Sequence, residues 1–173
     1  MSERSVGELQ AIDFKALKHL EVLRLYGCDL SEAACARIAE ATSLREIDLI
    51  GVEIKGAGLG SCRGLPHLEK LRLVQTQLNK EIIVQVSELK GLKVLQIDCV
   101  EIPSSGQLGK LVNLEELSVA GSGLRETEIE CMNDMRLLRR LDVRETRASS
   151  KQIATLKKAL PELKVRSNYQ HEW

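Results

Sequence analysis

Leu68-Glu69-Lys70-Leu71-Arg72-Leu73 is followed 24 residues later by Leu92-Lys93-Val94-Leu95-Gln96-Ile97, and the phrase recurs in both directions along the chain. It consists of an apolar residue, two variable ones, an apolar, one variable and an apolar. The other copies are Leu20-Leu23-Leu25, Leu44-Ile47-Leu49, Leu114-Leu117-Val119 and Leu138-Leu141-Val143, with a partial seventh at Leu160-Leu163-Val165. Successive copies begin 24, 24, 24, 22, 24 and 22 residues apart. A fixed period in this range marks a solenoid, whose units stack because none buries its apolar face alone. Alternation within the phrase makes each copy a short strand. Stacked in register, the copies predict an α/β architecture with one curved parallel sheet of six or seven strands. Its length is on the order of 30 Å at ~4.8 Å per strand. Leu95 and Leu117, central in the stack, are expected among the most buried residues.

Each phrase continues through a small residue to another apolar position: Cys28 and Leu30, Val52 and Ile54, Thr76 and Leu78, Val100 and Ile102, Ser122 and Leu124, Thr146 and Ala148. This pattern resembles the leucine-rich repeat family over residues 20 to 166. The Thr and Ser usage, Ile54-Lys-Gly-Ala-Gly-Leu59 and the closing Leu156-Lys-Lys-Ala-Leu-Pro-Glu-Leu-Lys-Val165 resemble bacterial members. The resemblance implies a right-handed solenoid whose strand-end residues face a concave surface that binds protein or peptide. The Asn usual at that turn is absent from every repeat.

The expected organisation is one elongated domain over residues 1–173: a cap over 1–19, six repeats over 20–159, and a partial repeat with a tail over 160–173. The cap carries Val6, Leu9, Ile12, Phe14 and Leu17, with Ser5 and Glu8 at capping-box spacing, and reads as a short helix or strand. On the convex side, Ser31 caps a predicted helix over 32–41. Asn79 caps one over 80–89 with Ile82, Ile83, Val86 and Leu89 inward. Thr127 and Ser150 start two more, carrying Ile129, Met132 and Met135, then Ile153 and Leu156. Gly56, Gly58, Gly60 and Gly64 loosen the second arc, and Pro103 with Gly106 makes the short fourth an irregular turn.

Composition excludes several function classes. Aromatics are 2% of the chain, four residues in all, so no platform exists for stacking single-stranded bases. Formal net charge is zero, which gives no long-range attraction to nucleic acid or anionic membrane. No 18-residue apolar stretch and no signal-peptide pattern at Met1 are present. The five cysteines, Cys28, Cys35, Cys62, Cys99 and Cys131, form no Cys-x-x-Cys pair. An odd, scattered set reads as reduced thiols, so the expected setting is cytoplasmic, without bound metal or cofactor. His19 and His67 share one repeat position, but two repeats separate them by roughly 10 Å, too far to share one metal. Gly56-Ala-Gly-Leu-Gly60 lacks the Gly-Lys-Ser/Thr of a phosphate loop. No Ser or Cys has a His and an acid in adjacent repeats, so no nucleophilic triad is legible.

The charges carry more information. The residue after each first Leu runs Glu21, Arg45, Glu69, Lys93, Glu115, Arg139, alternating in sign. In a parallel, in-register stack these are neighbours. Glu69 is expected to contact Arg45 and Lys93, and Glu115 to contact Lys93 and Arg139. Glu46 falls beside Lys70, Glu116 beside Arg140, and Asp48 between Arg24 and Arg72. Such ladders set stacking register more than they add stability. Residues 136 to 166 hold ten Lys or Arg against three acids, whereas residues 1 to 135 hold 15 against 21. That asymmetry suggests a docking surface for an acidic or phosphorylated ligand, on Arg144, Arg147 and Arg140. Repeat logic pairs Arg139 and Arg140 with Glu115 and Glu116, leaving Arg144 and Arg147 unpaired.

The strand-end column reads Tyr26, Ile50, Val74, Asp98, Ala120, Arg144. Three large apolar side chains in consecutive repeats on a water-facing surface mark a partner site. Alternatively, the N-terminal cap folds over Tyr26 and leaves only Ile50 and Val74 exposed. The main expectation is a non-enzymatic module that binds another protein or peptide on its concave face. Tyr26, Ile50 and Val74 form the centre, and Arg24, Asp48 and Arg72 the polar surround. The rival expectations are a recruitment module using the basic repeats and an accessory segment of a larger enzyme.

Overall fold

A computed structural model of the chain describes residues 9, 11–56, 58–103, 106–124 and 126–169. Seven of the phrases become strands of one parallel sheet: β1 (Val22–Tyr26), β3 (Glu46–Ile50), β5 (Lys70–Val74), β6 (Val94–Gln96), β7 (Glu116–Ser118), β8 (Arg140–Asp142) and β9 (Lys164–Arg166), in that spatial order. The register is in step with the repeat through the first six copies, as in Leu23↔Ile47, Ile47↔Leu71, Leu71↔Leu95, Leu95↔Leu117 and Leu117↔Leu141. At the partial seventh it is displaced by two residues, since Leu141 pairs with Val165 and not with the phrase-equivalent Leu163. Those apolar columns face the arcs and form one continuous core, in which Leu95 is 0% and Leu117 1% exposed. A second, two-stranded parallel ladder joins β2 (Asp29–Leu30) to β4 (Glu53–Ile54) and extends by a single bridge from Glu53 to Gln77. In the first two repeats the apolar residue after the turn, Leu30 or Ile54, therefore does more than fill the core, which the phrase alone does not reveal.

The convex arcs follow their caps, with small differences. Ser31 accepts from the N–H of Ala34 at 3.2 Å and starts α1 (Glu32–Ile38). Asn79 accepts from Ile82 N–H at 2.8 Å and starts α2 (Lys80–Ser87), whose Ile82, Ile83 and Val86 are buried. Both helices stop short of the predicted ends, because each chain must turn back to its next strand. α3 (Glu126–Glu130) begins one residue before Thr127, so that residue lies in the first turn instead of starting the helix. The helix then tightens into a 3-10 turn at Cys131–Asp134. α4 (Ser150–Ala159) starts at Ser150 as expected, and Ser149 before it is the N-cap. Gln152 three residues on completes a capping box with Ser149, which decides between the two serines. The glycines of the second arc do not loosen it: Gly58–Gly64 is a 3-10 helix. A Cβ on Gly58 would lie 2.7 Å from the Cys35 sulfur, so the missing side chain admits close packing on α1.

Every repeat leaves its strand through a left-handed residue: Gly27, Gly51, Gln75, Cys99, Gly121 and Glu145. The backbone N–H of each of the first five bonds the preceding repeat-equivalent carbonyl of the next unit, as in Gly51 to Val74 at 2.8 Å and Cys99 to Ala120 at 2.8 Å. For Glu145 the equivalent residue of the next unit is Asn168, whose side-chain oxygen accepts the N–H at 2.7 Å in place of a backbone carbonyl. Asn168 thus caps the ladder at the C-terminal end. In place of the family's Asn, Thr76 donates its hydroxyl to the Leu49 or Val74 carbonyl, and Thr146 donates to Val143 at 2.6 Å. At the other end the described cap is a 3-10 turn at Phe14–Ala16, with Phe14 and Leu9 buried but Ile12 and Leu17 exposed. Ser5, Val6 and Glu8 lie outside the described residues, as does the tail beyond Tyr169 with His171 and Trp173.

Candidate functional site

Strand alternation places three columns on the face opposite the core. One begins at Val22, the next at Arg24 and the third at Tyr26; register carries them through Glu46, Asp48 and Ile50 and on to Lys70, Arg72 and Val74. Tyr26 is 62% exposed, so no described part of the cap covers it. Ile50 and Val74 beside it are half-buried. Their partial burial has a local cause, since each packs between neighbours in its own column 4.8 Å or so away. The structure thus brings Tyr26, Ile50 and Val74 together in one row of consecutive strands.

Beneath and beside this row runs a polar chain. Arg24 Nε donates to Asp48 Oδ2 at 3.0 Å, and Arg72 Nη1 donates to the same oxygen at 3.1 Å. Arg24 Nη2 also reaches Glu46 at 2.9 Å, and Lys70 bonds the other Glu46 oxygen at 3.1 Å. Arg72 Nε continues to Gln96 Oε1 at 2.8 Å, and the Gln96 amide donates to Asp98. Asp98 in turn accepts from the Ser118 hydroxyl at 2.6 Å and the Ala120 N–H at 2.9 Å. Asp48 is not part of an exposed polar surround: it is 0% exposed, roofed by the two guanidinium groups it binds. Two long cations converging on one short carboxylate bury it, a consequence of side-chain length that column order does not show. Burial pushes the Glu46 carboxyl up, but Lys70 and Arg24 outweigh it and hold the group below its ordinary range. The same Glu46 and Asp48 contacts raise Arg24, chiefly through the Asp48 hydrogen bond.

The outer charge ladder forms in its centre only. Glu69 contacts Lys93 at 2.7 Å and Arg45 at 3.8 Å. Glu115 pairs with neither Lys93 nor Arg139, because the Lys93 amine is committed to Glu69 and Arg139 turns its guanidinium to the Arg136 carbonyl at 2.9 Å. The basic repeats also differ from expectation. Arg144 is not unpaired: its guanidinium grips Asp142 through Nε at 3.0 Å and Nη2 at 2.7 Å. That bidentate grip raises the Arg144 pKa, first through its hydrogen bond and then through charge. Arg140 is ion-paired with Glu116. Arg147 is exposed in the loop after Glu145, off the strand column. The three arginines therefore do not converge on one anion site. His19 and His67 are both exposed. Among the described residues no group of three or more His, Cys, Asp or Glu is placed to hold a metal. No described helix is long and apolar enough to cross a membrane.

No protein-family model and no curated protein matches the sequence. Solved structures do. An internalin of Listeria monocytogenes superposes with a TM-score of 0.66 at 17% identity, over 91% of this chain and 50% of that one. The chain has the leucine-rich repeat fold. A leucine-rich repeat protein of Leptospira interrogans matches at a TM-score of 0.56 and 20% identity, over 88% of this chain and 50% of that one. The plant peptide hormone receptor RGFR1, solved in complex with RGF2, matches at 0.57 and 15% identity, over 88% of this chain and 28% of that one. This leucine-rich repeat solenoid spans half the length of the internalin and of the Leptospira protein it resembles.

Proposed function

We propose that this chain is a non-enzymatic protein- or peptide-binding module that acts through its concave face. The observation that carries the reading is the row Tyr26, Ile50, Val74, apolar and in register on three adjacent strands beside an ion-paired floor. An aromatic anchor with aliphatic neighbours and a polar rim is the composition of binding hot spots. The floor is held by hydrogen bonds that cross four strands, so the row is presented on a rigid surface and little ordering entropy opposes binding. The RGFR1 complex with RGF2 supports the reading in general form, since a protein of this fold there holds a peptide hormone.

The test is affinity capture from the source cell with the parent chain and with the Ile50→Ser/Val74→Ser variant. The variant should keep its fold and lose its captured protein, with affinity weakened at least about tenfold, a loss of about 1.4 kcal/mol. Binding should depend weakly on ionic strength, as apolar contact does. A folded variant that binds at full strength would remove the row from the site.

A further inference from the structure

The two ends of the sheet are not equivalent. In a parallel sheet both backbone groups of one residue point to the same side, alternating along the strand. Toward β3, the Glu21 carbonyl accepts from Glu46 and Gly27 donates to Ile50, each at 3.0 Å. The residues of opposite parity, Val22, Arg24 and Tyr26, therefore turn three N–H and three C=O groups outward from the first strand. At the far end Lys164 and Arg166 bond β8, which leaves Val165 alone facing outward, and Asn168 closes the turn beyond. β1 also lacks the usual protections of an edge: it holds no Pro and no bulge, and its one charge, Arg24, bends back to Asp48 and Glu46.

The side chains at this end are unfinished in the same sense. Leu44, Ile47 and Leu49 are at most 2% exposed, whereas their counterparts Leu20, Leu23 and Leu25 are only partly buried. Ile12, Leu17, Val22 and Tyr26 are half of the eight large apolar residues exposed among the described residues. Charge defines what would finish it. Over the first three strands two columns alternate in sign, Glu21-Arg45-Glu69 and Arg24-Asp48-Arg72, and Glu21 makes no ion pair among the described residues. Arg24 keeps 52% of its side chain exposed.

We infer that β1 accepts an extended segment of a partner protein as an added parallel strand, with the pattern base, any residue, apolar, acid, apolar. The base meets Glu21, the acid meets Arg24, and the two apolar residues cover Leu23 and Leu25. Strand addition at an open edge gains main-chain hydrogen bonds for affinity and side-chain columns for selectivity. This surface is distinct from the concave row, although Tyr26 belongs to both.

The probe is a blocked synthetic peptide carrying Lys-Thr-Leu-Asp-Leu, titrated into the 15N-labelled full chain. Saturable shifts and slowed amide exchange are expected at Val22, Arg24 and Tyr26. Val22→Pro removes one outward N–H and no bond to β3, and should weaken binding at least about tenfold. Glu21→Lys should also weaken it, and a peptide with Glu in place of Lys should restore it. Ile50→Ser/Val74→Ser should leave this titration unchanged, which separates it from the concave reading. Shifts confined to the concave row, equal binding by a folded Val22→Pro variant, or no charge-swap rescue would each overturn the inference. So would a concentration-dependent dimer abolished by Val22→Pro, since a second copy would then be the occupant.

Discussion

Removing the Asp48 carboxylate is the sharpest perturbation of the concave floor. Its Oδ2 takes one hydrogen bond from Arg24 and one from Arg72, at 3.0 and 3.1 Å. Bonds to charged groups contribute about 1.5–3 kcal/mol each, and breaking a buried ion pair from one side costs about 3–5 kcal/mol. The full penalty does not apply here. The Arg24 and Arg72 side chains remain 52% and 30% exposed, so water reaches both cations once the carboxylate is gone. Each also keeps a second acceptor, Glu46 at 2.9 Å and Gln96 at 2.8 Å. We expect Asp48→Ala to destabilise by about 2–3 kcal/mol and Asp48→Asn, which preserves volume and one acceptor, by about 1–2 kcal/mol. Urea denaturation at 25 °C with an unchanged slope would measure both. A double-mutant cycle with Arg72→Ala should show coupling, since the two side chains touch. The loss should respond less to salt than that of Glu69→Lys on the exposed ladder. If Asp48→Ala falls within about 0.5 kcal/mol of the parent, as a surface substitution does, the buried network is not holding the floor.

Leu95→Ala, a truncation at the centre of the stack, should cost about 2–5 kcal/mol; an unchanged urea midpoint would contradict its placement. Gln75→Gly should raise stability by about 0.5–1 kcal/mol, because φ of 53° strains a residue with a Cβ, and calorimetry would detect the shift. Lys93 holds the Glu69 carboxyl below its ordinary 4.5 by hydrogen bond and charge. Its folded pKa therefore lies below the unfolded one, so its contribution is complete above about pH 4.5 and is lost as pH falls through the folded value. The urea midpoint should decline there, less steeply in Glu69→Gln, and an NMR titration placing Glu69 above 4.5 would reverse the sign. Burial pushes the Cys35 thiol up to about 11 and Cys62 up to about 12, while Cys99 and Cys131 are exposed. At pH 8 a disulfide reagent should modify Cys99 and Cys131 in the native protein, and Cys35 and Cys62 only in denaturant.

By itself the sequence determined the solenoid, the register of the first six copies and the apolar row, while the two-residue displacement that pairs Leu141 with Val165 came from the tertiary structure. A repeat that pairs each residue with the one 22 to 24 positions on makes distant contacts readable as if they were local. Leu71 meets Leu95, and Tyr26 meets Ile50, because the phrase admits one stacking. Ser31 and Asn79 are legible as caps for the same reason of locality, as is the start of α4 at Ser150, while the capping box of Ser149 with Gln152 fixes which of two adjacent serines is the cap. What the tertiary structure decided is whatever depends on where side-chain ends travel after the backbone is placed. Column order put Asp48 between two arginines but not beneath them. It offered Lys93 to both Glu69 and Glu115, and the amine went to one. It left Arg144 without a partner, although Asp142 two residues earlier lies on the same face. Asn168 as a stand-in for a backbone carbonyl, and the three N–H and three C=O groups that β1 turns away from β3, depend on which strands close the described sheet. Periodicity describes the interior of a stack, where each unit has two neighbours. The ends have one, and their chemistry is settled by what the rest of the molecule leaves uncovered.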